Sequence, residues 1–351
     1  MKLFLKKSKK QWKTTVWMCI FSLMVACLGF TACQRNPTCY QRIDTAMGTV
    51  VKETVYVEKG GEDITAQIRQ QIVTLEDQFL SRRKDSAEIY QINSHAGEVQ
   101  GTAVSEPLWE ILQKLLEVSE RSGGAFDFTI GETVRLWDID SYAAKEKEEV
   151  VLPSLDQIAE SLANTGYEKL QFQNGRINLP KGMQLDLGAA GKGIACDAVL
   201  TFLRNQPHVA GAIISVGGSI LTYGKKPDGT LWKVGIVDPQ NPSDYIGGLR
   251  LEGQWCVSTS GDYERYVEVK GKRYHHIIDP DSGYPADAGL LSVTILTRDG
   301  MLSDALSTAC FVLGYEESLE LLQSFGAHGL FVDKQGNVML TPGMEMYYVP
   351  R

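Results

Sequence analysis

Asp304 and Thr308 lie four residues apart in the stretch SDALSTA (Ser303 to Ala309). In a helix that spacing puts a carboxylate and a hydroxyl on one face. Such a pair is a partial shell for a hard cation such as Mg2+, which prefers oxygen and keeps waters and phosphates as its other ligands. The same pair also suits a carboxylate that caps its helix and a threonine that only packs. A second stretch, DLGAAGKG from Asp186 to Gly193, combines an acid, a run of small residues and one lysine. Small residues allow close backbone approach, and amides at a helix start favour anions. Asp186 could take hydrogen bonds from a ligand, the Ala189 carbonyl could turn towards a metal, and Lys192 supplies a cation for phosphate. The plain alternative is a tight strand-to-helix connection that needs small residues.

His275 and His276 precede Ile277-Ile278-Asp279-Pro280. In an extended run, adjacent side chains point to opposite faces, so one imidazole can face a site while the other faces solvent or core. An imidazole in a site can deprotonate a hydroxyl near neutral pH. Ser258-Thr259-Ser260-Gly261 is hydroxyl-rich and suits either a phosphate contact or a turn. Three common motifs are missing: the GxxxxGK[ST] phosphate loop, the GxGxxG dinucleotide fingerprint and the Gly-x-Ser-x-Gly nucleophile elbow.

The elements that would position these groups read as follows. Thr49 to Glu58 alternates like a strand, and Gly61 to Leu80 carries Ile64, Ile68, Ile72, Leu75 and Phe79 at helical spacing. Ser105 is placed to cap a helix that stops at Gly123-Gly124. Ser154 to Ala163 and Gly193 to Asn205 read as helices, and Met183–Leu187 as a strand. Asn174-Gly175 joins two short strands as a hairpin, and another hairpin turns near Gly271. Ala210–Val216 and Leu290–Thr297 are buried strands. Met301–Leu313 and Glu316–Phe325 are helices, followed by two closing strands. The sum is an α+β class: a mixed, mostly antiparallel sheet with flanking helices.

Six lysines and no acids precede residue 33, and an apolar run from about Thr15 ends in Phe30-Thr31-Ala32-Cys33. This is a signal-peptide layout over residues 1–32. A cysteine after small residues suits lipidation at Cys33, although Phe30 stands where leucine is usual. An uncleaved anchor and ordinary secretion are the other readings of the leader. Each puts the body outside the cytoplasm, and lipidation places it on the extracytoplasmic face of a bacterial cytoplasmic membrane. Residues 33–43 read as a lipidated tether, and 44–345 as one domain. Without the leader, 29 Lys and Arg face 43 Asp and Glu, a net charge of −14. A field of that sign does not seek nucleic acid. The cysteines form neither a CxxC pair nor a Cys/His cluster, which excludes a disulfide scaffold and a zinc site. Asp138 to Pro153 is polar and reads as a surface insertion.

Eight segments together resemble the ApbE family of FAD:protein FMN transferases. They are AMGT (Ala46 to Thr49), DSAEIYQIN (Asp85 to Asn93), GGAFDFTIG (Gly123 to Gly131), LDLGAAGKGIACD (Leu185 to Asp197), ISVGGS (Ile214 to Ser219), STSGDYER (Ser258 to Arg265), HHIIDPDSGYP (His275 to Pro285) and DGMLSDALSTA (Asp299 to Ala309). The resemblance implies a domain that binds FAD and Mg2+ and moves FMN onto a Thr or Ser hydroxyl of an acceptor flavoprotein, releasing AMP. Hydrolysis of FAD to FMN and AMP is the alternative activity, and a non-catalytic FAD-binding lipoprotein is a third reading. By matched position, the resemblance makes the Ala189 carbonyl, Asp304 and Thr308 the metal ligands. It makes Met47, Ala125, Phe126, Asp127, Asp186, Lys192, Ser260, His276 and Ile278 the FAD contacts, and His276 the base. Where many relatives carry a tyrosine that can stack on the flavin, this chain has Ser81-Arg82-Arg83-Lys84, so the resemblance leaves Arg82 or Arg83 for that role.

Overall fold

Strands whose alternate residues are apolar on both sides need two covers, and this sheet has them. The computed structural model describes residues 36–144 and 150–351. The leader and Cys33 lie outside the described residues. Eight strands pair antiparallel in the order Thr38–Ala46, Thr49–Val57, Val209–Val216, Ser219–Gly224, Trp255–Gly261, Leu290–Thr297, His328–Asp333 and Val338–Leu340. On one face, Val55, Ile214, Leu221 and Cys256 pack against Ile68 and Ile72 of the helix Thr65–Leu75 and Val199 and Leu203 of the helix Gly191–Arg204. On the other, their neighbours Tyr56, Ile213, Ile220 and Val257 pack against Trp232, Val234 and Leu249 of a three-stranded sheet built from Trp232–Asp238, Asn241–Leu251 and Tyr348–Pro350. This is the period-2 alternation of a strand with both faces buried. The α+β class expected from the sequence is the class found.

Turn chemistry sets the registers. Met47-Gly48, Asn174-Gly175 and Lys270-Gly271 all have positive φ at both positions, as a two-residue type I′ hairpin requires. Met47 and Lys270 both depart from the residue preference for such a turn, and Met47 stands at the rim of the cavity described below.

The structure corrects several expectations. Residues 38–43 do not tether: Thr38 to Ala46 pair along their whole length with Thr49–Val57, from Thr38 opposite Val57 to Ala46 opposite Thr49. The tight Met47-Gly48 turn dictates that pairing, and the polar composition of Thr38–Asp44 hides it, because an edge strand tolerates polar side chains. The fold likewise runs past 345, since Tyr348–Pro350 pairs with Asn241–Leu251. Ser105 stands at the start of the helix Glu106–Arg121 but makes no side-chain cap; its amide donates instead to Glu88. Met183–Leu187 is irregular apart from a bridge between Gln184 and Ile130. The helix begun near Gly61 is α-helical over Thr65–Leu75 and widens to a π-turn at Glu76–Leu80. Cys196, Cys256 and Cys310 are buried thiols. No helix among the described residues is long and apolar enough to cross a membrane.

Candidate active site

A cavity of about 490 Å3 opens at the turn-rich end of the sheet. Every described residue to which the resemblance gives a metal or FAD contact lines it: Met47 from the first hairpin, Ala125, Phe126 and Asp127 from the Gly-Gly loop, Asp186, Ala189 and Lys192 from the small-residue loop, Ser260 from the sheet, His276 and Ile278 after the Gly271 hairpin, and Asp304 and Thr308 from the helix Gly300–Leu313.

Two glycines bring the small-residue loop onto Asp304. Helices Gly191–Arg204 and Gly300–Leu313 touch where Gly193 meets Gly300, with no room for a Cβ on either. The Gly193 amide then donates to Asp304 Oδ2 at 2.9 Å, and the Ser219 hydroxyl donates to Oδ1 at 2.8 Å. Asp197 reciprocates from the first helix: its two carboxylate oxygens accept from the amides of Gly300 and Met301, at 2.7 and 2.8 Å. Burial among these groups, with Asp299 close by, holds the Asp197 carboxyl well above the usual carboxylate range. The tight connection expected of DLGAAGKG is present, and its packing is what brings the loop onto Asp304.

The donor set fits a cation. Asp304 is only 4% exposed, yet no lysine or arginine pairs with it among the described residues. A buried carboxylate without a cation is costly. The Ala189 carbonyl accepts no hydrogen bond among the described residues, because the Gly193 amide that a regular helix would aim at it goes to Asp304. Thr308 lies one turn beyond Asp304, with its hydroxyl 3.4 Å from that of Ser260. Among the described residues no cluster of three His, Cys, Asp or Glu could hold a metal, so a cation here would rely on carbonyl, hydroxyl and phosphate oxygens as well as one carboxylate. Lys192 runs beside the Gly217-Gly218 turn and makes no ion pair among the described residues, leaving its ammonium for an anion.

The two histidines separate as alternation requires. His275 is buried: its Nε2 donates to the Ala286 carbonyl, 3.0 Å away, and its Nδ1 accepts from the Ile277 amide. His276 lines the cavity, its Nδ1 3.2 Å from the Arg265 carbonyl. A carbonyl only accepts, so Nδ1 carries the proton and Nε2 keeps its lone pair. Burial, then the nearby Arg265 guanidinium, lowers His276 to about 3. It is therefore neutral at physiological pH.

Two other predicted contacts are already engaged within the protein. Asp127 accepts from Thr129 through Oδ1 and from the Tyr167 amide through Oδ2, and burial raises its pKa. It shapes the loop that presents Ala125 and Phe126. Asp186 is paired by Arg82 Nε at 2.9 Å and by the Gly188 amide at 2.8 Å. Arg82 is thus tied to the cavity wall, with Arg83 beside it on the lining.

Sequence reasoning passed over five residues. Asp197 and Ser219 each end a quoted segment, which was the available signal. Glu76 holds the Met47 amide at 3.1 Å from inside the π-turn, which no periodicity reveals. Trp137 lines the cavity just before the stretch read as a surface insertion and Asp140 lines it from within that stretch, which corrects the expectation at its first residues; Asp140 pairs with Arg265 at 2.8 Å.

The sequence model of the ApbE family matches residues 47–331. An FAD:protein FMN transferase of Treponema pallidum is 31% identical over 97% of this chain and 96% of its own length. One from Klebsiella pneumoniae is 34% identical over 82% of this chain and 88% of its own. The crystal structure of an ApbE protein from Thermotoga maritima superposes with a TM-score of 0.77 at 32% identity, covering 88% of this chain and 99% of that one. The apo flavinyl transferase ApbE of Pseudomonas stutzeri gives 0.75 at 26%, over 89% and 97%. With the motifs gathered into one cavity and the match running over most of its length, the chain belongs to the ApbE family.

Proposed function

We propose that this protein transfers FMN from FAD to a Thr or Ser hydroxyl of an acceptor flavoprotein and releases AMP, with Mg2+ as cofactor. The observation that carries this reading is one cavity that, among the described residues, holds a buried carboxylate without a cation, a carbonyl without a donor, an unpaired ammonium and a neutral imidazole. The names of the T. pallidum and P. stutzeri relatives support it.

Asp304, Thr308 and the Ala189 carbonyl would hold the metal, and Lys192 would meet phosphate oxygens. When bound, Mg2+ offsets negative charge on the diphosphate and on the departing AMP phosphate. His276 Nε2 accepts the proton of the acceptor hydroxyl as that oxygen bonds to the FMN-side phosphorus. The bond from this phosphorus to the bridging oxygen breaks, and AMP leaves with that oxygen. Anionic phosphates beside His276 favour its protonated form, which offsets a basicity that burial has reduced. The remaining contribution of the protein is positioning.

The test is incubation with FAD, Mg2+ and an acceptor protein, followed by intact mass. A mass gain of one covalent FMN on the acceptor supports transfer; FMN released free points to hydrolysis, and unchanged FAD to binding alone. Asp304→Ala abolishes Mg2+-dependent turnover on this reading, and full activity in that variant overturns the metal assignment. The reading extends to lipid attachment at Cys33 on the extracytoplasmic face, motivated by the leader alone. Labelled fatty acid entering the wild-type protein but not Cys33→Ser supports it; equal labelling overturns it.

A further inference from the structure

Behind Asp304 lies a chain of hydroxyls that the proposed mechanism does not use. Ser219 opens the strand Ser219–Gly224, and Ser258 stands directly opposite it on the strand Trp255–Gly261. Ser303 precedes Asp304 on the helix above. All three are buried, at 1%, 0% and 1% exposure. Ser219 Oγ lies 2.8 Å from Asp304 Oδ1, Ser258 Oγ 3.1 Å from Ser219 Oγ, and Ser303 Oγ 2.8 Å from Ser258 Oγ.

Each hydroxyl has one hydrogen, so the chain can run in only one direction. An ionised carboxylate only accepts, and Ser219 must therefore donate to Asp304. Ser219 is then left to accept from Ser258, whose single hydrogen is used there. Ser303 is the remaining donor, shared between Ser258 and the Gly300 carbonyl, 2.8 Å away. The row of hydroxyls therefore ends on Oδ1, while Oδ2 is held from the loop side by the Gly193 amide. Each oxygen carries one tether and keeps lone pairs for a ligand. The plane of the carboxylate is set before any cation arrives.

We propose that Ser219 is a positioning residue for Asp304, oriented in turn by Ser258, and that this pair sets the affinity of the site for a divalent cation. The inference rests on the metal reading above. Groups that orient metal ligands typically account for roughly 10- to 100-fold in affinity.

The test uses the full chain and Mn2+ alone, titrated with the free ion followed by electron paramagnetic resonance. Circular dichroism and thermal melting check each variant. Ser219→Ala is expected to weaken Mn2+ binding by roughly 10- to 100-fold. Ser258→Ala is expected to show a smaller loss. Because Ser258 acts through Ser219, the double variant is expected to bind no worse than Ser219→Ala alone. Ser219→Thr, which keeps the hydroxyl, retains binding. A folded Ser219→Ala that binds Mn2+ like the wild type overturns the proposal. If Ser219→Ala does not fold, loss of binding in folded Ser258→Ala together with retention in Ser219→Thr supports it, and wild-type affinity in Ser258→Ala overturns it. Mn2+ binding that Asp304→Ala leaves unchanged, or that the wild type lacks, instead removes the metal reading on which the proposal stands.

Discussion

Gly193 and Gly300 meet backbone to backbone. A Cβ built on Gly193 would stand 2.0 Å from the Gly300 carbonyl oxygen, and one on Gly300 would stand 2.3 Å from that of Gly193. No rotamer relieves a clash with backbone, so a methyl at either position must push two helices apart. Gly193→Ala is expected to destabilise the fold by about 1–3 kcal/mol, as overpacking does, and to break the link from the Gly193 amide to Asp304. Calorimetry and Mn2+ titration read the two effects. A melting temperature and an affinity equal to wild type would show that the contact has no such consequence.

Arg82 and Asp186 form an ion pair on the cavity wall at 2.9 Å, with side chains 24% and 13% exposed. If Arg82 acts in cofactor binding by holding Asp186, then Arg82→Ala, Asp186→Asn and the double variant should be non-additive in FAD affinity. The coupling expected for touching groups is about 0.5–3 kcal/mol. Additive losses, measured by flavin fluorescence titration, would mean that the two residues meet FAD separately.

His276→Ala should bind FAD nearly as well as wild type while turnover falls by roughly 10²- to 10⁴-fold, the usual contribution of a general base. Its imidazole, lowered to about 3, should add no inflection to kcat/KM between pH 5 and 8. An inflection near pH 6.5 that disappears in His276→Ala would contradict that environment. The same shift has a stability consequence. The folded state keeps His276 neutral while the unfolded chain takes up a proton below about 6.5. The unfolded state therefore binds more protons between about 6.5 and 3, and stability is lost as pH falls through that window.

Glu53 carries the opposite sign. It is 2% exposed, neither carboxylate oxygen has a partner among the described residues, and burial raises it to about 7. It lies on the sheet face that carries Val51 and Val55, where Arg42 and Arg69 lower it and Asp44 and Asp63 raise it by smaller amounts. Here the folded state holds a proton that the unfolded chain releases above about 4.3. The penalty is therefore absent at low pH and complete above about 7. Glu53→Gln should stabilise the fold by about 3 kcal/mol at pH 8, read as a higher melting temperature, and the gain should vanish near pH 4. A gain independent of pH would mean that the carboxylate is not the source of the cost.

The local chemistry of the site was legible in the sequence, because turns and small-residue loops depend on neighbours a few positions away. Asn174-Gly175 demanded a type I′ turn and formed one. The spacing of Asp304 and Thr308 required a shared helix face, and both line the cavity. The motifs around Ala125, Ala189, Ser260 and His276 were recognisable before any contact between them was known. The long-range hydrogen bonds were not legible. His275 and His276 are equivalent in a sequence, and only the Ala286 and Arg265 carbonyls, each eleven residues away, make one structural and leave the other with a free nitrogen. Asp127 and Asp186 are bare acids in a sequence, and only the Tyr167 amide and the Arg82 guanidinium fix where each carboxylate is held. Residues 38–43 looked like a tether because an edge strand owes its order to the partner it pairs with. The residue types that do the chemistry were set by the sequence, whereas the direction in which each one points was decided by packing, since a side chain is oriented by neighbours that only the tertiary fold brings into contact.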